Sequence, residues 1–321
     1  MPRVAIIGTG VIGASWAALF AAHGYDVAAT DPRPDAEAAL RRDVEACWSS
    51  LVRQGLVVEA GSPDLVTVAR SLADAVDGAA FVQENAPERL DLKLALYGEI
   101  DALAGPDVVI ASSSSGLMPT QLQQGCGRHP ERVLVGHPFN PPHLVPLVEV
   151  VGGAATSDRA IEQAMATYEA IGKTPVRIRV ELPGHITNRL QAALWREAYW
   201  LVEQGVVSVA EVDLAISSGP GLRWALLGPF ATQHLSGGDG GIAHVLEHLG
   251  PPMVEWWATM EAAEWTPELR AAVVAGVDDE LDGIDQRVMA DERDRLLEQL
   301  VVAKARAQHL PHITTNGGTD R

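Results

Sequence analysis

Cysteine is scarce in this sequence, whose 321 residues include only Cys47 and Cys126. Two cysteines are too few for a disulfide framework or a cysteine cluster that binds metal, so we predict neither. The histidines His234, His244 and His248 lack a positioned carboxylate or cysteine that would complete a ligand set. We therefore predict no metal site.

The sequence also lacks a long apolar run and an excess of positive charge. No run is long enough to span a bilayer, and the charged, glycine-interrupted start differs from a signal peptide, so we expect a cytoplasmic protein. The 24 Lys and Arg stand against 42 Asp and Glu, a formal net charge of -18 at pH 7. Such a chain repels the phosphates of nucleic acid, and it attracts cationic small molecules.

The first 23 residues have the order of a nucleotide-binding unit. An apolar run over residues 3–8 leads into Gly8, Gly10 and Gly13, and a helical pattern follows over residues 12–23. In such a motif the first glycine allows a tight turn, the second lets the backbone approach a pyrophosphate, and the third lets helix and strand pack closely. The N-terminus of the helix favours the phosphate charge. The sequence therefore predicts a dinucleotide site.

An acidic residue ends the next predicted strand, over residues 25–30. Asp31 follows Gly13 by eighteen residues, at the place where an acid binds the adenosine ribose hydroxyls and repels a 2′-phosphate. We therefore expect NAD as the cofactor rather than NADP. Arg33, two residues later, leaves an opening for the phosphate.

A histidine and a glutamate twelve residues apart indicate acid–base chemistry. His137 stands among turn-forming prolines and an asparagine, and Glu149 interrupts an apolar run that is typical of a buried strand. A carboxylate in such a strand is costly unless it is paired, and a histidine is the obvious partner. The carboxylate would orient the imidazole and raise its basicity, which predicts proton transfer near neutral pH. The spacing alone also fits a purely structural pair.

The pattern of apolar residues changes near residue 183. Before it, short β-rich runs alternate with helical segments, which predicts a Rossmann-like, doubly wound α/β sheet; beyond it, long helical patterns predict an all-α domain. The runs assigned to strands include residues 80–83, 108–111, 133–136 and 176–180, and the helical ones include residues 187–204, a helix that begins at residue 213, and residues 292–308. We expect domains over residues 1–183 and 184–310, followed by a disordered tail over residues 311–321.

Five segments carry a resemblance to a known family. They are residues 8–13 (GTGVIG), residues 83–88 (QENAPE) with Lys93, residues 112–117 (SSSSGL), the pair His137 and Glu149, and residues 183–189 (PGHITNR). With them the chain resembles the 3-hydroxyacyl-CoA dehydrogenase superfamily over residues 3–308. More narrowly, it resembles the branch that contains L-carnitine 3-dehydrogenase and lambda-crystallin, an L-gulonate 3-dehydrogenase.

The resemblance implies a role for each matched residue. It makes His137 and Glu149 the catalytic pair and places the active-site serine and asparagine at Ser115 and Asn188. The cofactor is implied to contact Gly8, Gly10, Val11, Ile12 and Gly13, and its nicotinamide end is implied to lie near Glu88, Lys93 and Ser115. The family often has phenylalanine at position 185 and asparagine and threonine at positions 113 and 114, where this chain has His185, Ser113 and Ser114. These departures leave details of nicotinamide and substrate contact open.

The predicted reaction is the oxidation of a secondary alcohol. His137 takes the hydroxyl proton while the hydride goes to the nicotinamide, and Glu149 fixes the imidazole tautomer. Ser115 and Asn188 hydrogen-bond the oxygen or the histidine. Asn140, in the same loop as His137, serves either the turn between two prolines or the nicotinamide amide.

Six of the eight tryptophans lie beyond residue 190. Tryptophan faces attract cations, and quaternary ammonium groups are commonly held in aromatic cages. Residues 221–229 resemble the carnitine branch, and there Arg223 would pair with a substrate carboxylate and Trp224 would face a trimethylammonium group. The alternative is that these tryptophans fill helix and dimer interfaces.

The resemblance leaves several functions open. L-Carnitine is the first substrate, with L-gulonate or another short 3-hydroxy acid as the alternative and 3-hydroxyacyl-CoA after it. The net acidity disfavours a CoA thioester, whose phosphates usually need basic groups. A non-enzymatic alternative is an NAD-binding structural protein of the crystallin kind, which the complete set of Ser115, His137, Glu149 and Asn188 disfavours. The resemblance also implies a homodimer formed through the helical domain.

Overall fold

The computed structural model describes residues 1–311. The predicted tail, residues 311–321, lies outside the described residues apart from its first residue. The contacts within the chain divide it into two compact units: of the described residues, unit 1 comprises 1–189 and 297–301, and unit 2 comprises 190–296 and 302–311. The domain boundary at residue 183 stays a prediction.

Unit 1 is built around one sheet of eight strands. The strands are β1 (Arg3–Ile7), β2 (Asp26–Thr30), β3 (Val66–Val68), β4 (Phe81–Glu84), β5 (Val109–Ser112), β6 (Val133–Pro138), β7 (Leu147–Gly152) and β8 (Thr174–Ile178). Their order across the sheet is β3-β2-β1-β4-β5-β6-β7-β8. The first six strands are parallel, β7 runs antiparallel to β6, and β8 runs parallel to β7. The predicted Rossmann-like sheet is confirmed.

Both faces of this sheet are buried. Val4 and Ile6 of β1 belong to one apolar cluster, and Ala5 and Ile7 belong to the other, because successive side chains of a strand point to opposite faces. Helices cover each face, as in other parallel sheets. Burial on two sides explains why β1 is a continuous apolar run rather than an alternating one.

The helices that cover the sheet alternate with the strands along the chain. They are α1 (Val11–Ala22), α2 (Ala36–Gln54), α3 (Leu72–Val76), α4 (Leu90–Leu103), α5 (Pro119–Gln123) and α6 (Asp158–Ala170), with short 3-10 helices at Pro63–Leu65 and Pro130–Arg132. The next helix, α7 (Thr187–Glu203), begins in unit 1 and continues into unit 2. The alternation confirms the α/β character predicted for this part of the chain.

Unit 2 is helical, as predicted. Its remaining helices are α8 (Val209–Ser218), α9 (Pro220–Trp224), α10 (Pro229–Ser236), α11 (Gly241–Trp257), α12 (Pro267–Glu280) and α13 (Gln286–Arg306), with a 3-10 helix at Gly238–Gly240. Residues 297–301 of α13 are grouped with unit 1. Within residues 1–311, no helix combines the length and the apolar character needed to cross a bilayer.

Two helices of unit 2 begin earlier than predicted, and side-chain caps explain both. The predicted start at residue 213 is wrong: α8 begins at residue 209, because Ser208 caps the Glu211 amide and the Glu211 carboxylate accepts from the Ser208 amide. The predicted start at residue 292 is also wrong. α13 begins at residue 286, because the Asp285 carboxylate accepts hydrogen bonds from the backbone amides of Arg287 and Val288.

Candidate active site

The predicted catalytic and cofactor-binding residues gather at one edge of the sheet. They follow or end parallel strands at their carboxyl ends: Gly8 follows β1, Asp31 follows β2, Glu88 lies four residues after β4, Ser115 lies three residues after β5, and His137 is the fifth of six residues in β6. The carboxyl ends of parallel strands are where open α/β sheets bind ligands. The topology therefore brings segments distant in sequence to one place.

His137 and Glu149 face each other across two antiparallel strands. The register of β6 and β7 pairs these two residues directly, which puts their side chains on the same face of the sheet. The His137 Nδ1 atom lies 2.9 Å from Oε2 of Glu149. The turn predicted around His137 begins later than expected, since His137 lies within β6 and the strand ends at Pro138.

The second oxygen of Glu149 is also occupied. Oε1 accepts hydrogen bonds of 3.0 Å from the backbone N–H groups of Ile186 and Thr187, at the start of α7. Burial acts to raise the pKa of Glu149, but the hydrogen bonds from His137, Thr187 and Ile186 outweigh it and hold the pKa below its ordinary value. The carboxyl group is thus an anion that only accepts hydrogen bonds.

The anionic state of Glu149 fixes the tautomer of His137. Because a carboxylate has no proton to donate, Nδ1 of the ring must carry one, and the lone pair of neutral His137 is left on Nε2. The ring is only 5% exposed and lies edge-on to Phe139, with ring centroids 5.2 Å apart. The arrangement provides one shielded, correctly protonated base.

Ser115 and Asn188 are brought together by a hydrogen bond to the backbone. Asn188 Nδ2 donates to the carbonyl oxygen of Ser115 over 3.2 Å. Ser115 itself is exposed. Asn188 is in the first turn of α7, whose start also holds Glu149. One helix start therefore contacts both the serine loop, defined as residues 112–117, and the carboxylate of the pair.

Glu88 organises the serine loop. Its Oε1 atom accepts hydrogen bonds from the Ser114 hydroxyl and from the amides of Gly116 and Leu117, at 2.5, 2.9 and 3.2 Å. Burial acts to raise the pKa of Glu88, but these hydrogen bonds and the charge of Lys93 lower it overall. Glu88 is therefore an ionised group that holds the loop carrying Ser115.

Lys93 lies beneath the loop in a buried polar network. Its ammonium contacts both carboxylate oxygens of Glu84, at 2.7 and 2.8 Å, and it is 1% exposed. Glu84 also accepts hydrogen bonds from Tyr97, Ser112 and the amide of Ala86. Lys93 therefore supports the ends of β4 and β5, while its contact with the nicotinamide ribose stays a prediction.

The three glycines after β1 have three different surroundings. Gly8 has φ +88°, and a Cβ there would lie 2.9 Å from the backbone of Asn85. A Cβ on Gly13 would lie 1.9 Å from the carbonyl oxygen of Gly8. A Cβ on Gly10 would meet nothing within 4 Å. Gly8 thus makes the turn, Gly13 allows close packing, and Gly10 leaves open space beside the loop.

This loop fits the diphosphate of a dinucleotide. Gly10 is the N-cap of α1, and Val11 and Ile12 form its first turn, with Val11 68% exposed. The first amides of a helix have no partner within the helix and carry its positive dipole end. The open space at Gly10 and these amides together suit an anionic diphosphate.

Asp31 is tied to the nucleotide loop and to Arg33. Oδ2 accepts hydrogen bonds from the amide and the hydroxyl of Thr9, at 2.8 and 3.2 Å, and Oδ1 lies 2.9 Å from Nε of Arg33. Burial acts to raise the pKa of Asp31, but Arg33 and Thr9 outweigh it and lower the pKa. The Arg33 guanidinium, the group available to a 2′-phosphate, is thus engaged by a carboxylate.

Asn140 lies in the loop that joins β6 to β7. It is exposed and precedes Pro141 through a cis peptide bond. The loop is held by buried Lys173, whose ammonium donates to the carbonyl oxygens of Pro142 and Val145. His143 of the same loop lies 2.9 Å from the Ser15 hydroxyl of α1. A cofactor contact of Asn140 stays a prediction.

Two buried basic side chains were given no role by the sequence-based reasoning. His185 is fully buried, with its ring centroid 5.4 Å from that of His137. Lys173 is 6% exposed, and burial lowers its pKa to about 7. One signal for His185 was present in the sequence, its departure from the family's phenylalanine. No signal was present for Lys173.

Arg223 and Trp224 lie in unit 2, at the end of α9, and are exposed. Within the described residues, Trp224 is not paired with another aromatic ring; the aromatic pair of this unit joins Tyr199 and Trp265 at 5.3 Å. His244 and His248 stack at 4.0 Å, and residues 1–311 contain no group of three side chains arranged for a metal ion. Substrate contacts of Arg223 and Trp224 stay predictions.

Comparison with known families matches nearly all of unit 1 and most of unit 2. Residues 3–181 match the family described as "3-hydroxyacyl-CoA dehydrogenase, NAD binding domain", and residues 184–273 match "3-hydroxyacyl-CoA dehydrogenase, C-terminal domain". The predicted superfamily and the predicted NAD cofactor are confirmed by these matches.

The matches to curated relatives cover almost the full length of this chain and of the relatives. The L-carnitine dehydrogenase of Streptomyces coelicolor is 50% identical over 304 residues, 95% of each chain. The L-carnitine dehydrogenases of Bacillus cereus and Pseudomonas putida are each 46% identical, over 93% and 95% of this chain and 91% and 95% of theirs.

Solved structures show the same fold. A 5-formyl-3-hydroxy-2-methylpyridine 4-carboxylic acid 5-dehydrogenase, described as an NAD+ dependent dismutase, superposes with a TM-score of 0.82 at 30% identity, covering 96% of this chain and 100% of that one. The (S)-3-hydroxybutyryl-CoA dehydrogenase of Ralstonia eutropha gives a TM-score of 0.65 at 27% identity, over 86% and 94% of the two chains.

Proposed function

Because the chain belongs to the 3-hydroxyacyl-CoA dehydrogenase family and is an NAD-dependent dehydrogenase, we propose that it oxidises the 3-hydroxyl group of L-carnitine to a ketone. The observation that carries the substrate assignment is the identity of about half of all residues, over 95% of both chains, with an L-carnitine dehydrogenase. The geometry of His137 and Glu149 supports the chemistry.

His137 is the proposed proton acceptor. Neutral His137 has its lone pair on Nε2, because Nδ1 donates to the Glu149 carboxylate. The hydroxyl proton moves to Nε2 as the C–H bond at the same carbon breaks, and bound NAD supplies the hydride acceptor. Glu149 then stabilises the imidazolium through the 2.9 Å contact with Nδ1. In the reverse direction the imidazolium returns the proton to the forming alkoxide.

Ser115 and Asn188 are the proposed groups that hold the substrate oxygen. Their mutual hydrogen bond through the Ser115 carbonyl keeps the two residues together, and the exposed Ser115 side chain is free to reach a ligand. Hydrogen bonds from such groups to the reacting oxygen would strengthen as negative charge develops on it. These residues therefore orient the alcohol toward the base.

The proposed cofactor site consists of the loop after β1 and the end of β2. Gly10, Val11 and Ile12 offer open space and helix amides for the diphosphate. Gly8 and Gly13 shape the loop, and Asp31 would bind the adenosine ribose. Glu88, Lys93, Ser115 and Asn140 are the proposed residues at or near the nicotinamide end.

L-Carnitine carries a carboxylate and a quaternary ammonium group, and the chain offers chemistry for both. Because these two charges cancel, recognition of L-carnitine depends on local groups of the site rather than on the net charge of -18. We assign Arg223 to the carboxylate and Trp224 to the ammonium group, since guanidinium binds carboxylate bidentately and an indole face attracts cations. Both side chains are exposed.

A homodimer formed through unit 2 is part of the proposal. Large apolar side chains are exposed on this unit, among them Phe230 (77%), Leu235 (68%), Trp265 (65%) and Trp257 (61%), and surfaces of this kind commonly pack against a partner. A second copy of this chain is the proposed partner, and sedimentation at several concentrations would measure it. A cytoplasmic location is also proposed, since the free thiols of Cys47 and Cys126 suit a reducing compartment.

The test is NADH formation at alkaline pH with L-carnitine, L-gulonate and a 3-hydroxybutyryl thioester, compared by kcat/KM. We expect L-carnitine to exceed the other two by at least tenfold. A preference for L-gulonate or the thioester would overturn the substrate assignment while keeping the reaction. NAD binding without turnover of any alcohol would favour a structural protein instead.

A further inference from the structure

His185 occupies an unusual place beside the catalytic pair. It follows Gly184 just before α7, is fully buried, and has φ +52°, the one positive φ of a non-glycine residue among residues 1–311. Its ring lies 5.4 Å from the ring of His137, at an interplanar angle of 47°. Its Nε2 atom lies 3.4 Å from the Ser114 carbonyl oxygen. The imidazole therefore spans the gap between the base and the serine loop.

Histidine at position 185 makes the folded protein less stable than an apolar ring of the same size would. The Nδ1 atom is buried without a hydrogen-bond partner, and leaving such an atom unsatisfied destabilises the folded protein. The left-handed backbone of His185 adds strain. Phenylalanine would fill the same volume without the first of these penalties. Unsatisfied and strained groups of this kind are concentrated at functional sites.

Burial keeps His185 neutral, although two nearby carboxylates act to raise its pKa. His137 and Glu149 face it from β6 and β7, and Glu88 faces it from the segment after β4. Burial is the main cause that lowers the pKa of His185, and the charge on His137 lowers it further, against weaker effects of the two carboxylates. Both oxygens of Glu149 are already engaged. His185 is therefore a polar, uncharged ring while His137 gains and loses its proton.

We propose that His185 is a positioning residue for hydride transfer. Its Nε2–H donates to the Ser114 carbonyl oxygen, and its ring packs beside His137. Together these contacts fix the position of the serine loop relative to His137. This inference rests on the proposed function. The serine loop also carries Ser115, whose carbonyl accepts from Asn188. Loss of the His185 contact would thus displace the groups that orient the substrate oxygen relative to the base.

The test compares His185→Phe with His185→Gln. Phenylalanine keeps the volume and removes both ring nitrogens, whereas glutamine restores an N–H near the position of Nε2. We expect kcat to fall by about 10- to 100-fold in His185→Phe, because a misplacement of about 1 Å can have such an effect. The KM for NAD should change less than threefold, and His185→Gln should recover at least part of kcat. His23→Phe is the matched control, since His23 is a half-buried histidine bonded to the Leu19 carbonyl of α1.

A second measurement does not depend on which alcohol is oxidised. The proton between His137 and Glu149 should give a downfield NMR resonance that disappears in His137→Ala. We expect it to broaden or shift in His185→Phe and to return in His185→Gln. An unchanged resonance together with kcat within twofold of wild type would overturn the positioning role. Failure of the proposed substrate alone would show as no L-carnitine turnover by wild type, with the resonance still sensitive to His185.

Discussion

His137 and Glu149 lie directly opposite each other in β6 and β7, and the carboxylate is held from behind by the first amides of α7. Between the two residues the chain leaves β6 after Pro138, passes through a loop and returns antiparallel in β7 from Leu147. The buried carboxylate is stable because each of its oxygens has donors. A single carboxylate thereby links the start of α7 to the orientation of the base.

Replacement of Glu149 by glutamine should remove most of the rate. The neutral amide can no longer stabilise the imidazolium or impose one tautomer, so we expect kcat to fall by roughly 10²–10⁴-fold. Steady-state kinetics measures this, and a calorimetric NAD titration should show little change in affinity. Glu131→Gln is the control, because Glu131 pairs with exposed His129 at the same 2.9 Å distance. Activity of Glu149→Gln within threefold of wild type would contradict the assignment.

Two glycine substitutions should separate cofactor binding from folding. Gly10→Ala places a methyl group in open space, so we expect an unchanged melting temperature and at least tenfold weaker NAD binding. Gly13→Ala drives a Cβ to 1.9 Å from the Gly8 carbonyl oxygen, so it should lower the melting temperature. Thermal unfolding and NAD titration of both variants check this. Equal NAD affinity in Gly10→Ala and wild type would show that the diphosphate binds elsewhere.

Asp31 should control the choice between NAD and NADP. In Asp31→Ser the carboxylate is lost and Arg33 becomes free to meet a 2′-phosphate. We expect kcat/KM for NAD to fall by about 10- to 100-fold, the usual effect of losing a charge-assisted hydrogen bond, and kcat/KM for NADP to rise. Asp35→Ser, which removes a nearby exposed carboxylate, is the control. An unchanged NAD-to-NADP ratio in Asp31→Ser would contradict this role.

Lys173 should make stability depend on pH above neutrality. Its pKa is about 7 in the folded protein and about 10.4 in an unfolded chain, so the unfolded state binds more protons between these values. The contribution of Lys173 to stability therefore rises with pH through this window, on the order of 1 kcal/mol per pH unit. Chemical denaturation at pH 7, 8 and 9 should show that the free energy of unfolding of wild type increases with pH relative to that of Lys173→Met.

The control for this measurement is Lys304→Met. Lys304 is only partly buried, and its ammonium donates to the Ala225 carbonyl oxygen. The stability difference between wild type and Lys304→Met should be flat over the same range. A flat difference for Lys173→Met as well would mean that Lys173 stays charged in the fold.

Much of unit 1 could be predicted from the sequence, because its signals are local. The apolar run before Gly8, the three glycine spacings and the acid at Asp31 all lie within 31 residues and each has one mechanical reason. β3 was missed, since three residues are too short to show a period. β8 was placed two residues late, because its first residues include Pro175, a poor strand former.

The remaining features depend on contacts between distant segments. The turn prediction for His137 rested on the prolines and asparagine that follow it, and nothing local shows that β7 returns antiparallel to pair with β6. The buried Lys173 and its two carbonyl partners lie 28 and 31 residues apart in sequence. His185 and His137 are neighbours through the fold alone. Such polar pairs can be recognised only when the sheet order is known.

The proposed role of His137 as the acceptor of the substrate proton is tested by removing its imidazole. The rate of NADH formation from L-carnitine is compared for wild type, His137→Ala and His129→Ala, each at saturating NAD and with NAD affinity measured separately. We predict at least a 10³-fold loss in His137→Ala with NAD affinity retained, and activity within twofold of wild type in His129→Ala. Retention of more than a tenth of the wild-type rate in His137→Ala would show that His137 is not the proton acceptor.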